Sequence, residues 1–270
     1  MGQDLAASAR GALLQPITRL GGRAIRLLQS IGSMGLVLGR TVRALPRLDP
    51  REVLRSLVHF GFDAMALACV LGVFVGFILV LFSNIIVTRF GLKSLFGWAS
   101  GYAVLREMGP FMTALVMAGR IGARNAAELG AMRIGGQLEG LRGVGVDPFA
   151  LLVAPRVVAS ALAVTGLGLV ASLVAILASI AFGWAVSDIA PATYLTSFEA
   201  RLYVADLNAA LVKLFCFGAT ISLVSTQVGL QARGGAQAIG QVAAKAVVVS
   251  AAALTALDWL ITFVTSRVLA

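Results

Sequence analysis

The sequence is short of charge. Of its 270 residues, 13% are Asp, Glu, Lys or Arg and 59% are hydrophobic, where a soluble domain carries about 25% charged residues. So few ionic groups cannot cover a water-facing surface for a chain of this size. A soluble enzyme, a disordered regulator and a nucleic-acid reader are excluded, the net charge of +10 notwithstanding. One histidine, His59, excludes a histidine-rich metal centre, and two cysteines, Cys69 and Cys216, are too few for a disulfide framework. Both lie in apolar blocks and read as small buried hydrophobes. Lysine is scarce as well: Lys93, Lys213 and Lys245 each lack a preceding glycine. The Gly-Lys-Ser/Thr of a phosphate-binding loop is therefore missing. No cofactor is expected in this chain, and any ATP and magnesium would be bound by a separate protein. The first thirty residues show no compact apolar core followed by a cleavage site, so no signal peptide is expected.

What the chain has is long apolar runs. A helix needs about 20 residues to cross the hydrocarbon core. Five stretches qualify, at about 64–88, 94–119, 157–187, 207–230 and 246–266, and they are too long and continuous for the alternating strands of a barrel. The expected fold is an all-α integral membrane protein. It has an N-terminal interfacial region over residues 1–60 and a membrane domain over 61–270. Within residues 1–60, Ile17, Leu20, Ala24, Leu27, Leu28 and Ile31 fall on one arc of about 100°, with Arg19, Arg23 and Arg26 outside it. That is the pattern of a helix in the headgroup plane or of one packed on a soluble partner. The run Leu45-Pro46-Arg47-Leu48-Asp49-Pro50 breaks the helix before the first span.

Arginine sets the orientation. The N-terminal region and the connections 120–156 and 231–245 hold nearly all of the basic residues outside the spans, and the other side holds only Arg89, Lys93, Arg201 and Arg267. The first side is expected to be cytoplasmic, which places the N-terminus inside and the C-terminus outside, in the periplasm of a bacterial inner membrane. The 188–206 connection is then an acidic outer loop. Residues 120–150 mix Arg124, Glu128, Arg133 and Glu139 with Leu129, Met132 and Leu138, and read as an amphipathic helix or helix pair able to dock on a soluble partner. Asp147-Pro148 is a helix start, Asp capping and Pro first.

The intramembrane charges carry the most information, since each costs at least about 2.5–3.5 kcal/mol at the bilayer centre when uncompensated. Arg106 and Glu107 fall near mid-membrane and point about 100° apart, so each needs another partner. Stabilising the core of an assembly and forming the polar floor of a binding cavity are both open to them. Lys213 and Asp258 lie at similar depth on different spans. They are expected to form an interhelical salt bridge, the alternative being that each snorkels to the interface. Gly72 and Gly76 form a small-xxx-small pair suited to close helix approach.

Several ordered motifs resemble one family. They are Leu105-Arg106-Glu107-Met108-Gly109-Pro110, Ala118-Gly119-Arg120, Ala127-Glu128-Leu129-Gly130-Ala131-Met132, Gly145-Val146-Asp147-Pro148, Pro155-Arg156, Asp206-Leu207, Lys213 and Leu257-Asp258. Over about residues 50–270 the chain resembles the MlaE-type permeases, membrane subunits of the MCE-associated ABC phospholipid transporters. One departure is Gly136-Gln137, where the family usually has Glu-Gln.

The resemblance implies a homodimer working with cytoplasmic ABC ATPase subunits, often a STAS-domain protein, and a periplasmic ring of MCE proteins. It implies a lipid cavity whose matching positions are Leu79, Ile86, Val87 and Phe90, and a coupling helix that fits a groove on the ATPase. Beside it stand an ion-coupled secondary carrier, which usually shows two related halves that are not visible here, and a non-transporting scaffold, which has little need of mid-membrane charge.

Overall fold

The computed structural model describes residues 32–91 and 93–268, and the described chain is helical without strands. The amphipathic stretch 17–31 lies outside the described residues. The first described helix, α1 (32–44), buries Val37, Thr41 and Ala44, and Val37 packs with Phe149, Val153 and Val157. It stops where Pro46 enters a 3-10 turn at Leu45–Arg47. Asp49 then caps the next helix, its Oδ1 accepting from Arg51 N at 2.9 Å.

That helix, α2, runs from Pro50 to Phe90 and has 41 residues. At 1.5 Å per residue it is about 60 Å long, twice the thickness of the hydrocarbon core. The charges at Arg51, Glu52, Arg55 and Asp63 mark where the apolar stretch starts rather than where the helix starts, so the helix begins well ahead of the span expected at 64.

The second expected span, 94–119, is not one regular helix. It is a helical path built from α3 (Phe96–Ala103), a π turn (Val104–Met108), α4 (Gly109–Met117), a second π turn (Ala118–Gly122) and α5 (Ala123–Ile134). The first π turn has a readable cause. Pro110 has no N–H to give the carbonyl of Arg106, so the α ladder is interrupted there. Pro155 repeats the device after a third π turn at Phe149–Val153, which leads into α7 (Ala154–Ser187). The third membrane helix thus starts ahead of residue 157, behind Asp147, whose Oδ1 accepts from Phe149 N at 3.0 Å. Among the described residues, four helical stretches are long and apolar enough to cross a membrane: Pro50–Ile85, Phe149–Ser187, Val204–Leu230 and Ala236–Arg267.

Between α5 and α7 lies α6 (Gln137–Gly143). It is entered through Gly136 in the left-handed region at φ 71°, a conformation that suits a residue without a Cβ. The outer connection holds a short helix, α8 (Pro191–Glu199), which packs on α3. Ser197 Oγ accepts from Trp98 N at 3.2 Å, and Ser100 Oγ bonds the Tyr194 hydroxyl at 3.0 Å. Burial pushes the Tyr194 hydroxyl above its ordinary pKa, the hydrogen bonds with Ser100 and Ser179 partly opposing the shift.

The last two helices are α9 (Val204–Leu230) and α10 (Ala236–Val268). At the centre α7 and α9 bury 44% of their most apolar windows, whereas α10 buries 11% and so presents an apolar face outward. The core is rich in alanine: Ala64 and Ala68 from α2, Ala159, Ala163 and Ala171 from α7, filled by Met117, Leu167, Phe217 and Leu254. Small residues fit a protein packed in lipid, where association rests on close approach of backbones. Gly72 and Gly76 do this against α7. A Cβ on Gly72 would lie 2.5 Å from the carbonyl oxygen of Ala171, and one on Gly76 would strike that of Ala175.

Candidate functional site

Three helical segments converge on one buried cluster of charge. Lys213 on α9 is 3% exposed. Its Nζ donates to Glu107 Oε2 at 2.7 Å, to Thr262 Oγ1 at 2.9 Å and to the carbonyl of Arg106 at 3.1 Å. That carbonyl is the one Pro110 leaves without its helical donor, so the π turn and the lysine serve each other. Asp258 Oδ1 on α10 lies 2.7 Å from the same Nζ. The three ammonium protons are committed elsewhere, so this contact is Coulombic and Asp258 Oδ1 accepts no hydrogen bond. Thr262 in turn donates to Glu107 Oε1 at 3.1 Å.

Arg106 turns the other way. Its guanidinium meets Asp206 Oδ1 at 3.3 Å, with side chains 12% and 8% exposed, and lies 5.3 Å from the centroid of the Tyr102 ring. Asp206 also caps α9, its Oδ2 accepting from Tyr203 N at 3.1 Å. Adjacent positions thus find separate partners, as their angular separation requires. Arg106, Lys213 and Asp258 each sit about 14–15 Å along their helices from the same end of the bundle, half the thickness of the hydrocarbon core. Glu107 is the most open member, its side chain 35% exposed.

A second network closes the arginine-rich end. On α5, Arg124 bonds Glu128 at 3.2 Å and Asp63 of α2 at 3.3 Å. Glu128 reaches Arg156 of α7 at 3.1 Å and His59 of α2 at 3.9 Å. Asn125 is fully buried. It donates to Ser225 Oγ at 2.7 Å and accepts from Arg156 at 2.9 Å. Gly229 lets α9 lie against α5, since a Cβ there would come within 2.9 Å of the Ala126 carbonyl oxygen. The elbow α5–α6 is therefore fastened to α2, α7 and α9, and it continues directly into the helical path that carries Arg106 and Glu107.

Residues 53–264 match the family model for the permease MlaE. The chain belongs to the MlaE permease family. It is 31% identical over 245 residues to a probable ABC transporter permease protein of Rickettsia conorii, covering 90% of this chain and 95% of that one. It is 32% identical over 211 residues to a probable ABC transporter permease protein of Synechocystis, covering 77% and 79%. With the Arabidopsis thaliana protein trigalactosyldiacylglycerol 1, chloroplastic, it shares 32% identity over 231 residues, 85% of this chain and 66% of that one.

In this permease the positions expected to line a cavity lie toward the far end of α2. Leu79 is half-buried and Phe90 is 70% exposed. Ile86 and Val87 belong to the same helix, and their side chains lie outside the described residues. Of the positions expected to couple to an ATPase, Leu138 is 2% exposed and is a core residue of the elbow rather than a contact surface. Its position after the left-handed Gly136 turns it inward. Arg124 and Glu128 bind within the chain, and Arg133 pairs with Glu139 between α5 and α6. Met132 is half-buried beside a cavity of about 680 Å³ lined by His59, Phe62, Glu128 and Arg156. The outward surface of the elbow is instead Gln137, Glu139, Arg142, Val144 and Val146.

Sequence reasoning supplied no partner for Arg106 or Glu107, and it missed Thr262, Asn125 and Arg156. Asp206 had one readable signal, an acid in the first turn of an apolar helix. Arg156 stands beside Pro155 among the motifs of the family resemblance, and Thr262 and Asn125 are signalled only by distance in space.

Proposed function

We propose that this permease is the membrane-embedded half of an ATP-driven transporter that moves phospholipid, or a related lipid, between the inner membrane and an MCE-protein conduit. The observation that carries the reading is the family match across 53–264 in a chain without a phosphate-binding loop. A protein of that kind needs an external motor. Support for a lipid cargo comes from a relative named after a galactolipid and from the apolar faces of α2 and α10. In this reading two copies assemble, the arginine-rich end and the N-terminus face the cytoplasm, and the C-terminus faces the periplasm. ATP and magnesium belong to ATPase subunits docked on the elbow, a STAS-domain protein accompanies them, and an MCE hexamer stands outside. The permease itself catalyses no reaction.

The geometry suggests how work enters. A push on the outward face of α6 moves α5, because Leu129 and Leu138 are buried and Arg124, Asn125 and Glu128 are tied across the bundle. The push then passes along the helical path to Arg106 and Glu107, and through α9 to Lys213. Leu79, Ile86, Val87 and Phe90 supply an apolar lining near the far end, with Arg106 and Glu107 as its polar floor.

The test is reconstitution of the permease with its ATPase in liposomes, with mass spectrometry of bound lipid with and without nucleotide. Lipid occupancy is expected to change on ATP addition. Uphill lipid movement by the permease alone, driven by a proton or ion gradient, would overturn the proposal in favour of a secondary carrier.

A further inference from the structure

A cavity of about 610 Å³ opens at the arginine-rich end, lined by Arg40, Arg43 and Ala44 of α1, by Arg142 of α6, and by Asp147, Phe149 and Ala150. Its volume falls in the range of about 300–1,000 Å³ usual for small-molecule sites. Three guanidinium groups from two separate elements face it against a single carboxylate. Asp147 Oδ1 caps Phe149 N at 3.0 Å, and its single charge leaves the three arginines in excess. None of the three arginines forms an ion pair among the described residues, although the chain pairs Arg106, Arg124, Arg133 and Arg156 internally. Arg40 is held ready, its guanidinium carbon 5.2 Å from the centroid of the Phe149 ring.

The surroundings indicate what kind of anion fits. On a wheel of 100° per residue, Arg40 and Arg43 lie about 60° apart and Leu36 falls between them. The buried face of Val37, Thr41 and Ala44 lies to one side. Leu36 is 66% exposed, and Val144, two residues after Arg142, is 75% exposed. Aliphatic groups left in the open beside a basic cavity suit a ligand with a phosphate at one end and acyl chains at the other. A free nucleotide offers nothing to those aliphatic groups.

We infer that Arg40, Arg43 and Arg142 form a site for the phosphate of an anionic phospholipid in the leaflet at the arginine-rich end. This site is separate from the apolar lining proposed at the far end of α2. A lipid held there ties α1 to α6 and so ties the elbow to the membrane surface.

The experiment uses the full chain in detergent micelles, with native mass spectrometry of bound dioleoylphosphatidylglycerol, dioleoylphosphatidylcholine, inorganic phosphate and ATP. Wild type is expected to retain phosphatidylglycerol at least about tenfold better than Arg40→Gln/Arg43→Gln/Arg142→Gln, with phosphatidylcholine unchanged between them. The single charge reversal Arg142→Glu, at an exposed position, is expected to lower phosphatidylglycerol retention with helical content unaltered. Equal retention by wild type and both variants overturns the proposal. So does displacement of the lipid by equimolar phosphate or ATP, which assigns the arginines to a soluble anion. If the variants keep phosphatidylglycerol but lose co-purifying ATPase subunits, the arginines serve a protein partner and the lipid site is likewise refuted.

Discussion

Replacing Lys213 with methionine tests the centre of the bundle. The side chain keeps its length and loses its charge. In the wild type one ammonium sits 2.7 Å from each of two carboxylates, Glu107 and Asp258, and also takes the Arg106 carbonyl that Pro110 orphans. Without it two negative groups face each other unpaired, and a carbonyl loses its donor. Removing one member of a buried ion pair costs about 3–5 kcal/mol. Glu107 and Asp258 are 35% and 21% exposed, so water relieves part of the cost, and the expected loss is about 3 kcal/mol, roughly a hundredfold in the folding equilibrium. Denaturant unfolding in micelles, followed by tryptophan fluorescence, measures it. The decisive arm adds Glu107→Gln and Asp258→Asn to Lys213→Met. With all three charges gone, at least half of the loss should return. A single variant within about 0.5 kcal/mol of wild type, or a triple variant no better than the single, refutes the view that this lysine neutralises both acids.

Other substitutions follow from the same contacts. Asp206→Asn leaves Arg106 with a ring and no carboxylate, and should cost about 3 kcal/mol by the same unfolding assay, with partial recovery in the swap Arg106→Asp/Asp206→Arg. Gly76→Val drives a side chain into the Ala175 carbonyl and should cost at least about 2 kcal/mol, while Gly61→Ala, with nothing within 4 Å, should stay within about 0.5 kcal/mol in a thermal-shift measurement. Asn125→Ala removes a fully buried group bonded on both sides and should cost about 2 kcal/mol, more than Arg124→Ala, whose exposed pairs are worth no more than about 1 kcal/mol. Gly136→Ala meets no steric contact yet should lose about 1 kcal/mol, because its φ of 71° is unfavourable for a residue with a Cβ.

The membrane class and most of the helices were legible because hydropathy acts over twenty residues at a time. Boundaries were less so. Arg51 to Asp63 precede the apolar run yet lie in the same helix, since several charged residues are good helix formers. The π turns of the second span were not legible in hydropathy, because Gly109-Pro110 lies within an otherwise apolar run. Its effect, a π turn with a free carbonyl, needs Lys213 from a hundred residues away to be stable. The requirement that Arg106 and Glu107 have different partners could be deduced from helical geometry alone. Which partners they take could not, because the choice between Asp206 and Asp258 depends on how α9 and α10 are rotated. Leu138 shows the opposite error. Its place among charges suggested a contact surface, but the left-handed turn at Gly136 resets the phase of α6 and buries it.

The π turn at Val104–Met108 also limits how this stretch can vary in length. It holds one residue more than the α turn it replaces, so it takes up an extra residue that regular winding would meet by turning everything beyond it by about 100°. A residue gained or lost in the regular winding of α3 would force that turn, parting either α3 from α8 or Arg106 from Asp206 in one mutational step. A residue gained or lost in the exposed bend at 143–146 would disturb no such alignment. Related chains should therefore keep constant spacing from Phe96 to Ala103 while tolerating gaps beyond Gly143.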